Sequence, residues 1–137
     1  MLAVSQLFYV SVAARPYDSE AIQDILRSAR RNNATLDITG CLLYSGRHFA
    51  QVLEGPAAVV ASLALRIADD ARHLGLQILM ETHRVDREYG DWSMGYLHDA
   101  GLQQDLETLA RAGASDPGVV ADVMARMKPD TVMGALA

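Results

Sequence analysis

Residues 38–53, ITGCLLYSGRHFAQVL, constrain the fold more than any other stretch of the chain. Two apolar runs meet at Gly46-Arg47, which reads as a hairpin with strands at 38–45 and 48–53. Side chains alternate across a strand, so Phe49, Gln51 and Leu53 share one face and His48, Ala50 and Val52 the other. Both faces are largely apolar, as in a strand at the centre of a sheet. Gln51 breaks the pattern, a carboxamide where Val or Leu is usual. Leaving a buried amide unpaired costs about 1–3 kcal/mol, so a partner must satisfy it.

The segments around the hairpin complete an alternating order. LFYVSV at 7–12 is β-branched and aromatic and reads as a first strand. A helix is expected from Asp18 to Asn32, capped by Asp18 or Ser19, with Ile22, Ile25, Leu26 and Ala29 on one face and Asn32-Asn33 as its stop. Gly55-Pro56 opens a second helix with Val60, Leu63, Ala64 and Ile67 as its buried stripe. Further strands are expected near 77–85 and 92–97, then helices near 102–112 and 117–128. Half of the 137 residues are apolar, enough for the core of one domain of ordinary size. The fold class is therefore α+β: a ferredoxin-like β-α-β-β-α-β core with an extra strand, both helices on one face, and a C-terminal helix pair. Residues 1–98 form the core and 99–137 a helical extension of the same compact unit.

Composition removes several classes. A formal net charge of −5 lacks the basic surplus of a nucleic-acid binder. Cys41 is the single cysteine, so there is no internal disulfide, and a reducing, cytoplasmic setting is expected. No apolar run approaches the roughly 20 residues of a membrane span, and MLAVSQLFYVSVAARP reads as an opening strand instead of a signal peptide. His48, His73, His83 and His98 have no ligand spacing, so no metal is expected. GxSxG, GxGxxG and GxxxxGK[ST] are all absent.

The remaining polar residues invite two readings. Tyr9 shares a face with Leu7 and Ser11 and is a candidate partner for Gln51. Asn33 could converge there, and Trp92 and Met94 on the last strand would share a face bordering the same region. These groups could simply be a satisfied Tyr–Gln core hydrogen bond and an asparagine cap. They could also line a ligand site. The run Arg66–His73 is charged and reads equally as a solvated helix end.

Taken in order, LFYVS around Tyr9, ARRNNATLDITG around Asn32 and Asn33, FAQVLEGP around Gln51, RIADDARH around Arg66 and Asp70, and DWSMGY around Trp92 and Met94 resemble the BLUF family of blue-light photoreceptor domains. The resemblance runs from Leu7 to about Tyr96. It implies a bound FAD, with FMN or riboflavin as possible substitutes. Tyr9 matches the family's electron- and proton-donating tyrosine, and Gln51 the glutamine between that tyrosine and the flavin. Asn33 matches the asparagine at the flavin's carbonyl edge, with Asn32 its neighbour at the pyrimidine end. Arg66, Asp70 and His73 match the outer rim, and Ile25 and Ile67 the residues that sandwich the ring. Phe49 is counted with the flavin-binding residues, and Trp92 and Met94 match the output strand. Asp37 departs from a frequent glycine, and Ala50 from a bulkier residue.

The resemblance implies a photoreceptor and not an enzyme. Light would drive electron and proton transfer between Tyr9 and Gln51, rearrange the hydrogen bonds at the flavin, and signal through the last strand and the C-terminal helices. With no room for an output domain in this length, a separate protein effector or a homo-oligomer is the expected receiver, without nucleic acid or membrane. A flavin-free ferredoxin-like interaction module and an acylphosphatase-like hydrolase are the competing readings. The hydrolase would need an arginine and an asparagine around a phosphate loop after the first strand, which the sequence does not offer.

Overall fold

The structure is a computed structural model and describes residues 4–136. Residues 1–3 and 137, the outer limits of the two expected regions, lie outside the described residues. The chain runs β1 (Val4–Ala13), α1 (Ser19–Leu36), β2 (Thr39–Tyr44), β3 (His48–Gly55), α2 (Ala57–Ala68), β4 (His73–Arg84) and β5 (Gly95–His98). Then come α3 (Gln103–Ala112), α4 (Pro117–Met127) and α5 (Pro129–Leu136), with 3-10 turns at Ala100–Leu102 and Gly113–Ser115. The sheet order is β4-β1-β3-β2-β5. All pairs are antiparallel except β2–β5. This is the ferredoxin-like arrangement with one added edge strand, as the strand–helix order implied.

The apolar hairpin occupies the expected place. Every residue of β3 is buried, because β1 and β2 flank it and both of its faces are covered. On one face α1 and α2 cover Leu7, Tyr9, Phe49 and Leu53. On the other, α3 and α4 bring Leu106, Leu109, Val123 and Met127 onto Phe8, Val10, Ala50 and Val52. The apolar stripes of the C-terminal helices are therefore consumed by the chain's own sheet. Gly40 marks the closest approach within the hairpin. A Cβ there would lie 1.9 Å from the Val52 carbonyl oxygen.

The boundaries depart from expectation in several places, among them β4, which begins at His73 instead of near 77. α1 continues through Asn32 and Asn33 for another turn and stops at Asp37, whose left-handed backbone (φ 58°) ends it. Aspartate tolerates that conformation better than most side chains, which is why a position favouring glycine accepts it. Asp18 caps the start, accepting from the Ala21 amide at 2.8 Å. Pro129 does not close the chain's helical part but starts α5, since proline fits a helix's first turn. The expected pair is thus three helices. Finally, the last strand begins at Gly95, so the connection Val85–Met94 crosses from the β4 edge of the sheet to the β5 edge.

Candidate functional site

A cleft of about 180 Å³ opens between α1 and α2 above the sheet. Ile25 and Ala29 of α1 form one wall, Leu63 and Ile67 of α2 the other, and Tyr9, Gln51 and Leu53 the floor. The sequence dictates this placement. Tyr9 and Gln51 are direct cross-strand partners in the β1–β3 ladder, so their side chains emerge together on the helix-covered face.

Their hydrogen bond is the centre of the site. The Tyr9 hydroxyl donates to Gln51 Oε1 at 2.5 Å, and Gln51 Nε2 donates to Met94 Sδ at 3.2 Å. Both partners are buried. Burial pushes the Tyr9 phenol far above its ordinary pKa; Asp70 adds to this and Arg72 opposes it. Tyr9 is therefore a neutral phenol that does not lose a proton on its own.

Polar groups ring the cleft. Asn33 is buried, lines the cleft and donates through Nδ2 to the Ser93 carbonyl at 2.8 Å. Asn32 and Arg66 lie at the exposed rim. Asp70 is paired with Arg72, Oδ1 to Nε at 2.9 Å, and that guanidinium holds its carboxyl down to about 2. His73 Nδ1 lies 2.7 Å from Ser11 Oγ. Burial pushes its imidazole down to about 4, with Asp70 opposing and Arg72 adding.

His73 carries a prediction. The unfolded chain takes up this proton near pH 6.5 and the folded chain only near 4. Between those values the unfolded state binds more protons, so stability is full above about pH 6.5 and falls as the pH drops towards 4. Melting temperature against pH should show that slope, and His73→Gln should flatten it.

Of the residues expected in the site, Tyr9, Ile25, Asn32, Asn33, Gln51, Arg66, Ile67, Asp70 and His73 all line the cleft. Phe49 does not. It lies on the same sheet face but stacks on Tyr44, with ring centroids 5.0 Å apart, and packs behind His73 at 4.8 Å. Trp92 and Met94 do not share a face, because both precede β5 and strand alternation does not reach them. Met94 packs on the cleft side with Gln51, whereas Trp92 packs against Tyr89 towards the C-terminal helices. Gly95 permits this, since a Cβ there would meet the indole at 2.2 Å. Both residues border a second cavity of about 440 Å³ between α1 and the start of β5. Sequence reasoning assigned Ala29, Leu63 and Arg72 to packing or a helix end and did not single out Ser28, Leu42 or Leu53, although all six line the cleft. Their helical spacing from Ile25 and Ile67 is the signal for Ser28, Ala29 and Leu63.

The donor set suits a flat heteroaromatic ring. Two apolar helix walls face each other across a narrow slot, and carboxamides, which both donate and accept, meet its edges. A tricyclic flavin fits that chemistry. Among the described residues there is no cluster that could hold a metal ion, and no helix long and apolar enough to cross a membrane.

Comparison with known proteins agrees with the site. The family described as sensors of blue-light using FAD matches residues 4–95. The structure of BlrB, a BLUF protein in its dark state, superposes with a TM-score of 0.72 at 35% identity, covering 90% of this chain and 93% of that one. The ground state of BlsA gives 0.63 at 29% identity, over 80% of this chain and 73% of that one. Among curated proteins, the photoactivated adenylate cyclase subunit beta of Euglena longa is 37% identical over 92 residues, 66% of this chain. This chain spans only 11% of that cyclase's length. The blue light- and temperature-regulated antirepressor BluF of Escherichia coli is 36% identical over 73 residues, 53% of this chain and 18% of its own. These 137 residues correspond to a flavin-binding sensor domain. With the Tyr9–Gln51 pair on the floor of its cleft and the family matched across two helices and the first four strands, the chain belongs to the BLUF family of blue-light flavin photoreceptors.

Proposed function

We propose that the Tyr9–Gln51–Met94 chain is the light-operated switch of this photoreceptor. The observation that carries the reading is the unbroken line from Tyr9 Oη through the Gln51 amide to Met94 Sδ, in a slot whose walls suit a flavin ring. A bound flavin, FAD or a shorter relative such as FMN, would supply the blue-light absorption and the acceptor for one electron. Tyr9 gives up that electron together with its hydroxyl proton, which Gln51 Oε1 receives across 2.5 Å. A buried phenol that holds its proton so tightly loses it only when oxidised, so the two movements are coupled. When the electron and the proton return, Gln51 is left rotated or in its other tautomer. Its former donation to Met94 is then lost, and the change is felt where Met94 meets β5.

Ile25 and Ile67 would hold the ring from either side, Asn33 would bind its carbonyl edge with Asn32 beside it at the pyrimidine end, and Arg66, Asp70 and His73 would line the rim. Residues 4–98 act as the sensing unit and 99–136 as its output extension. The signal passes to a separate protein or to a second copy of the chain, within the cytoplasm. One relative is described as a blue light- and temperature-regulated antirepressor.

Purified protein reconstituted with FAD should be yellow, and denaturation should release the flavin unmodified. A chain that takes up no flavin would defeat the proposal. Asn33→Ala should weaken flavin binding by about 0.5–1.5 kcal/mol through the lost hydrogen bond. Titration of apoprotein with flavin, followed by fluorescence quenching, measures it.

A further inference from the structure

Glu54, at the end of β3, is fully buried and takes no part in the cleft. Its carboxylate accepts four hydrogen bonds. Gln6 Nε2 donates at 2.9 Å and the Glu88 amide at 2.9 Å, both to Oε2; the Tyr89 amide donates at 2.8 Å and Thr39 Oγ1 at 3.3 Å, both to Oε1. Among the described residues no salt bridge reaches it. A buried carboxylate held by neutral donors is costly to keep unless every lone pair is used. Two of its four donors are backbone amides of the connection Val85–Met94.

That connection joins the two sides of the sheet. At its far end the Ser93 carbonyl accepts from Asn33, the Met94 carbonyl from Arg30 Nε at 3.0 Å, and Met94 Sδ from Gln51. At its near end the Tyr89 hydroxyl donates to the Met127 carbonyl of α4 at 2.9 Å. Before β5 the segment has one backbone bond to the sheet, the Gly40 amide donating to the Trp92 carbonyl at 3.1 Å, and these side-chain bonds hold the rest of it. Arg87 fastens it a second time, with NH2 on the Asp37 carbonyl at 2.9 Å and NH1 on Thr39 Oγ1 at 3.0 Å.

We infer that Glu54 is a positioning residue of the switch, fixing the segment that presents Ser93 and Met94 to Asn33 and Gln51 and Tyr89 to α4. The inference rests on the photoreceptor reading above. Glu54 touches neither Gln51 nor the cleft, and it acts by holding the backbone on which Met94 and Tyr89 are mounted.

Glu54→Gln turns one acceptor oxygen into a donor that faces donors, which frees at least one amide of Glu88 or Tyr89. The variant, reconstituted with FAD, is compared with the parent and with Leu109→Ala, a buried α3 residue that makes none of the connection's hydrogen bonds and controls for lost stability. Glu54→Gln should stay yellow with parent-like flavin affinity and change the rate of dark recovery after blue light by about twofold to thirtyfold, the range expected of a residue that biases a switch from outside it. Leu109→Ala should lower the melting temperature and leave recovery unchanged. If Glu54→Gln does not fold, Gln6→Leu decides alone. It removes one donor from the same carboxylate and should shift recovery in a smaller measure. Parent-like recovery in every folded variant overturns the role of Glu54. A parent that binds flavin but shows no light-induced shift overturns the photoreceptor reading instead, and the two failures are read from different samples.

Discussion

Gln51→Leu is expected to keep its flavin and lose the red-shifted lit state entirely. Leucine retains most of the volume on the cleft floor and removes both the acceptor of the Tyr9 hydroxyl and the donor to Met94. Tyr9→Phe should lose the same photoproduct, because the ring stays and only the hydroxyl leaves. The pair also makes a stability cycle. Either single change strands a buried polar group and should cost about 1–3 kcal/mol. Replacing both leaves apolar groups facing each other, so the double variant should be more stable than the two single costs would sum to. Absorption spectra under blue light and thermal melts of the three variants give both answers. A lit-state shift in either single variant would mean that the proton path runs through other atoms.

Cutting the chain after Asp99 should abolish stable folding altogether, a larger effect than any point change. The sequence reads residues 99–137 as a helical extension of the same compact unit, and in the structure its helices cover one whole face of the sheet. Their removal bares Phe8, Val10, Cys41, Leu43, Ala50 and Val52, all fully buried in the complete fold. Burying a side chain of that size contributes about 1.5–3 kcal/mol, and a domain's whole stability is about 5–15 kcal/mol. A single change such as Val123→Ala should already be felt, since shortening a buried aliphatic leaves unfilled space. Circular dichroism and size-exclusion chromatography of the shortened chain should show loss of the native state or aggregation. A monomeric, cooperatively melting fragment would show that the sheet's second face tolerates water.

Much of this was legible because strand alternation is a strict rule. It placed Phe49, Gln51 and Leu53 opposite Ala50 and Val52 and made Tyr9 a candidate partner for Gln51, while the register that pairs them is seen in the structure. Helical spacing likewise located the wall formed by Ile25, Leu63 and Ile67. The rules failed where the backbone is irregular. Trp92 and Met94 look like alternate residues of a strand, but they precede its first ladder bond, so nothing forces them onto one face. Asn32-Asn33 looks like a helix stop because asparagine is common at that position. The real stop is Asp37, whose backbone is held by Arg87 from a distant connection. Glu54 was invisible for the same reason. A lone glutamate after an apolar strand reads as the strand's exposed end, and only the path of Val85–Met94 over it shows that it is buried.

The central claim is that a hydrogen-bond switch at Gln51 reports blue light, and the light-minus-dark absorption spectrum of the reconstituted protein tests it most directly. The account predicts a small red shift of the flavin band, without bleaching, that reverses in the dark and is absent in Gln51→Leu. A bound flavin that illumination leaves unshifted, or that bleaches as in covalent or fully reduced photoproducts, would contradict it.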